Sequence, residues 1–139
     1  MDARERVRRG LLLDALEDPV YLNGVDWHVR QQNPSAPSVD VQRETLDVIR
    51  SLVCDGLCRL GGEVVIGPHP HGVASQGERF VEWRESLEKA LRKISRVYLK
   101  HYDDPQRWMY AAALDLTDKG HETAQSIERD DIAPYRGHD

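Results

Sequence analysis

The sequence predicts an α+β domain: a helical core, a small antiparallel sheet and a long amphipathic helix inserted late in the chain. Three observations lead there. Apolar residues recur at helical spacing over 3–17, 39–55 and from Leu87 to about Tyr102. Short apolar runs near 57–66 and 107–116 carry strand character, and Gly- and Pro-rich segments separate these stretches. A chain of 139 residues has the size of one domain, predicted over 1–127, with 128–139 as a mobile acidic tail.

In the first segment Val7, Leu11 and Ala15 share a face with Leu12 and Leu16, Asp2 can cap the start, and Pro19 closes it. Asn23-Gly24 suggests a turn, followed by a helix of about two turns from Val25. Asn33-Pro34-Ser35-Ala36-Pro37-Ser38 breaks the chain before a helix over Val39 to Asp55, with Ser38 or Asp40 as its cap and Gly56 as its stop. Leu57 to Leu60 and Val64 to Ile66 flank Gly61-Gly62-Glu63 as two strands or one bulged strand, and 68–77 reads as a loop.

At 100° per residue, Leu87, Leu91, Ile94 and Tyr98 fall within about 60° of one another. Lys89, Arg92, Lys93, Arg96 and Lys100 gather on the opposite side. Trp108, Tyr110, Ala112 and Leu114 alternate as in a strand, and Thr117 can cap a last helix ending near Ile127.

Composition narrows the function. Charged residues make up 31% of the chain and hydrophobic ones 40%, which is globular, and the apolar run Leu11-Leu12-Leu13 is too short for a membrane span or a signal-peptide core. The expectation is a cytoplasmic protein without membrane contact, with Cys54 and Cys58 as reduced, buried thiols. Cys54, Cys58, His69 and His71 match no zinc spacing, so no metal or other cofactor is expected. Nor is an enzyme expected, since His-Glu-x-x-His, Gly-x-Ser-x-Gly and a phosphate-cradling glycine loop are all missing. Asp26 and His28 stand two apart and share no helix face, and Trp27 between them is expected to anchor the core.

Two segments carry a resemblance. The run from Gln42 to Leu57 passes from a helix bearing Leu52 through Gly56-Leu57 into a strand, and Leu116-Thr117-Asp118-Lys119-Gly120 leads from a strand into a helix. In this order they resemble the recognition helix and the wing-closing strand of winged helix-turn-helix transcription regulators. The likeness covers roughly 3–66 and 107–127, with 68–106 as a helical insertion between the presumed wing strands. It implies a winged-helix-like fold, double-stranded DNA as partner, and a homodimer reading paired half-sites. Gln42, Arg43, Thr45 and Arg50 would then read base edges. Arg4, Arg6, Arg8 and Arg9, or the inserted basic face of Lys89, Arg92, Lys93, Arg96 and Lys100, would touch phosphates. Against DNA stand the net charge of -5 and an internal ladder of Arg43, Asp47 and Arg50. The competing expectation is a protein-binding module, such as an antitoxin, immunity or adaptor protein, with an acidic surface for a basic partner.

Overall fold

A computed structural model of the chain describes residues 1–65 and 78–136. The predicted 68–77 loop, with His69 and His71, lies outside the described residues, as does 137–139. Among the described residues the architecture is α+β, with five α-helices and a four-stranded antiparallel sheet. The elements run α1 (Ala3–Ala15), β1 (Val20–Tyr21), α2 (Leu22–Gln32), α3 (Ser38–Cys54), β2 (Cys58–Val65), β3 (Glu78–Glu82), α4 (Leu87–Lys100), β4 (Ala113–Leu116) and α5 (Asp118–Arg136). The sheet order is β1-β4-β2-β3. Leu60 and Val20 both face Leu114, and Gly61 faces Glu82 across β2 and β3.

The predicted caps hold at two helices. Asp2 accepts from the Glu5 backbone N–H at 2.8 Å, and Thr117 Oγ1 accepts from Gly120 N at 3.0 Å. At α3 the N-cap is Pro37 rather than Ser38 or Asp40, and no side chain bonds there. Four boundaries differ from expectation. The second helix starts at Leu22, α5 runs on to Arg136, residues 78–82 form a strand that edges the sheet, and the strand near 107–116 is confined to 113–116. Residues 105–107 form a 3-10 turn with Pro105 in its first turn, and Met109 N donates to Pro105 O at 2.8 Å, which curls the chain away from the sheet. Trp108 is held there by its indole N–H, which donates to Tyr102 O at 3.1 Å, and by stacking on the Tyr102 ring.

The two segments that carry the winged-helix resemblance dock on each other. Gly56 leaves α3 at φ +74, a left-handed conformation that glycine adopts without strain. Thr117 N donates to Leu57 O at 3.1 Å, and its hydroxyl donates to Gly56 O at 2.6 Å. A β-carbon at Gly120 would stand 1.9 Å from Leu57 O, so the first turn of α5 approaches this backbone only as glycine.

One core holds the molecule together. Val7 and Leu11 of α1, Val25 and Val29 of α2, Val48, Ile49 and Leu52 of α3, Leu60 of β2 and Leu114 of β4 all belong to it. So do Ala90, Leu91, Ile94 and Tyr98, so α4 is packed into the common core, with each large side chain contributing about 1.5–3 kcal/mol by burial. Trp27, expected in this core, is instead 50% exposed, because its position on α2 faces away from the buried stripe of Leu22, Val25 and Val29.

Of the two cysteines, Cys58 is buried and Cys54 is exposed, which corrects the expectation of two core thiols. Burial, with the nearby Asp115 carboxylate, pushes the Cys58 thiol up to about 12. At pH 8 an aromatic disulfide reagent is therefore expected to titrate one thiol in the native protein and two in denaturant. Rapid reaction of both thiols without denaturant would contradict the burial of Cys58.

Candidate functional site

The helix expected to read DNA has its reading face covered. Gln42 and Thr45 are buried, Thr45 completely, so neither reaches a base edge, which corrects both assignments. Gln42 Nε2 lies 3.5 Å from Tyr98 O of α4. Thr45 lies beside the Tyr98 hydroxyl and makes no hydrogen bond of standard geometry. Arg50 is drawn sideways: Nε and Nη2 donate to the two Glu88 carboxylate oxygens at 3.0 and 3.1 Å, and Nη1 donates to Asp47 at 2.9 Å. The Glu88 hydrogen bond raises the Arg50 pKa, and the same bond lowers that of Glu88. Arg43 alone of the four remains open, 72% exposed and 4.0 Å from Asp40.

The N-terminal arginines are largely engaged within the fold. Arg4 forks onto Glu44 at 2.7 and 2.8 Å, Arg8 donates to Ser51 Oγ and pairs with Asp55 at 2.8 Å, and Arg9 pairs with Asp131 of α5. These bonds tie α1 to α3 and α5. Arg6 stays exposed, with no ion pair among the described residues.

Beneath α4 lies a buried polar knot that sequence reasoning missed. Asp26 is fully buried. It accepts Arg30 Nε at 2.6 Å and the Tyr98 hydroxyl at 2.5 Å. Burial and this hydrogen bond raise the Tyr98 pKa, and burial together with the Asp26 carboxylate pushes Tyr102 up to about 12. Burial opposes the charge on Arg30, and Asp26 more than offsets it, so the Arg30 pKa is raised. The signal for this knot was present: Asp26 sits four residues after Leu22 and three before Val29, on the apolar stripe, where an acid requires a buried partner. Thr45 likewise shares its stripe with Val41, Val48 and Leu52.

With its apolar side fixed on α3, α4 turns its cations outward. Lys89, Arg92, Lys93, Arg96 and Lys100 are all exposed and fall within about 100° of the helix circumference. Lys93 pairs with Glu85 at 2.6 Å and sits 4.4 Å above the Trp83 ring. Lys89, Arg92, Arg96 and Lys100 form no ion pair within 4.0 Å among the described residues. Glu88, at the edge of this face, is neutralised by Arg50. The helix therefore carries a ridge of positive charge about 16 Å long on its outward side.

Among the described residues no three His, Cys, Asp or Glu side chains converge on a possible metal site, and no helix is long and apolar enough to cross a membrane. No protein family, curated protein or solved structure matches this chain.

Proposed function

We propose that this is a nonenzymatic winged-helix-like protein that binds double-stranded DNA through the outward face of α4, in the manner of a transcription regulator with its contact surface transferred from α3. The observation that carries the reading is the acid-free ridge of Lys89, Arg92, Arg96 and Lys100, cations without an ion-pair partner among the described residues while most others on the helices are paired. The winged-helix component is supported by the chain order α1-β1-α2-α3-β2, then β4, with β4 between β1 and β2, and by the docking of Gly56-Leu57 on Thr117-Gly120. Recognition of paired half-sites would make the protein a homodimer.

Fluorescence anisotropy against mixed-sequence duplex DNA tests the reading. Four phosphate contacts predict a slope near about -4 in log affinity against log salt, a loss of about two orders of magnitude between roughly 50 and 200 mM salt. Absence of binding at low salt would remove the DNA reading. It would favour the second reading, a protein-binding module for a basic partner, which draws on the net charge of -5 and on exposed acids such as Glu17, Asp18 and Asp103.

A further inference from the structure

A second site lies away from the basic ridge, between the end of α1, the outer face of α2 and the turn that follows α4. There a cavity of about 340 Å³ is lined by Trp27, Trp108, Met109 and Pro105, with Asp14 and Arg30 also in its lining. The volume is that of a small-molecule pocket, and the lining is mainly apolar with a few polar groups. Trp27, half exposed on α2, contributes its ring to this lining and meets His28 edge-on.

The charges are the informative part. Asp14 and Arg30 share the pocket, yet no ion pair joins them. Asp14 engages His28 Nε2 through Oδ2 at 2.7 Å, leaving Oδ1 available. Arg30 is fixed by its Nε to the buried Asp26, a bond that does not use the terminal nitrogens, and its side chain lines both this cavity and the neighbouring one beside Tyr102. His28 is in turn seated under Gly10, where an added β-carbon would stand 2.7 Å from its ring, so the support of Asp14 is also built into the packing of α1 on α2. A group that takes an anion and a group that takes a cation thus line one cavity with two tryptophans, each held in place by a partner of its own. A ligand carrying one charge would engage one of the two and gain nothing from the other. A ligand with a carboxylate, an ammonium group and an apolar side chain engages both charged groups and the aromatic lining.

We infer that this cavity binds a free α-amino acid with an apolar or aromatic side chain: its carboxylate on the Arg30 terminal nitrogens, its ammonium on Asp14, and its side chain against Trp27 and Met109. The site is independent of the DNA reading and stands or falls without it.

The test is a titration of the 15N-labelled full chain with L-phenylalanine, L-leucine and L-methionine, followed by amide and indole N–H shifts. At least one is expected to saturate shifts of the Trp27 indole and the α2 amides, with a Kd of about 10 μM to 1 mM. For that amino acid, the N-acetyl derivative and the methyl ester, which remove one charge each, are expected to bind at least tenfold more weakly. Asp14→Asn, a change at an exposed side chain, is expected to lose at least tenfold for the amino acid while leaving the rest of the spectrum in place. Arg30→Lys keeps the charge on Asp26 and removes the fork, and is expected to lose affinity likewise. The inference is overturned if none of the three amino acids shifts the spectrum by 10 mM, or if either blocked derivative binds with less than a tenfold loss. The ligand comparison needs no variant, so an Arg30 variant that fails to fold does not shelter the proposal.

Discussion

Replacing Tyr98 with alanine is expected to destabilise the protein by about 3–5 kcal/mol, a large share of the stability of a domain this size. The ring is completely buried and meets Tyr102 and Trp108 edge-on at centroid distances of 5.4 and 4.8 Å, so truncation opens a cavity among three elements at once. The hydroxyl contributes separately. Asp26 has no solvent to turn to, and without Tyr98 it loses a 2.5 Å donor while keeping Arg30. Tyr98→Phe, which preserves the ring, is therefore expected to cost about 1–3 kcal/mol. Urea unfolding of the three proteins gives the comparison. Equal losses for the phenylalanine and alanine variants would mean that the hydroxyl, and not the packing, dominates. A negligible loss for phenylalanine would mean that the knot adds nothing to stability.

The second large effect concerns binding. Arg92→Glu together with Arg96→Glu converts the middle of the α4 ridge from positive to negative without touching the buried face of Leu91, Ile94 and Tyr98. Each cation that neutralises a phosphate is worth about tenfold in affinity near 0.1 M salt, and reversal adds repulsion, so duplex binding is expected to fall by at least about a hundredfold. The same exchange at Arg43 alone is expected to change affinity by less than about tenfold, because Arg43 stands outside this ridge. If the Arg43 variant lost binding and the α4 variant kept it, α3 would be the contact helix after all. Circular dichroism on both variants separates loss of binding from loss of fold.

Much of the fold was legible because α1, α3 and α4 each present a regular apolar stripe, and because Asp2, Gly56 and Thr117 are residues with strong positional meaning at helix ends. The sheet was less so. The edge strand Glu78–Glu82 alternates too briefly to announce itself, and the alternation of Trp108 and Tyr110 imitates a strand where a proline-led turn wins. For the site, periodicity found the basic face of α4 but could not say what its apolar side would cover. Gln42 and Thr45 are polar residue types in a helix with charged neighbours, which suggests a readable surface. Their burial depends on α4 arriving from more than forty residues away, and local spacing does not report that. Arg50 is a similar case, since Glu88 is remote in the chain and adjacent in space.

The Asp26 knot also bears on how the chain reaches its native state. Its central hydrogen bond joins positions 72 apart, and Gly56 to Thr117 spans 61. Individual helices of this length form in about a microsecond, but these closures require most of the chain to be gathered first, and their entropy is lost before any contact compensates for it. A helical protein is ordinarily a fast folder. This one also carries long-range closures of the kind that slow sheet proteins, and it is expected to fold correspondingly more slowly than a helical bundle of its length.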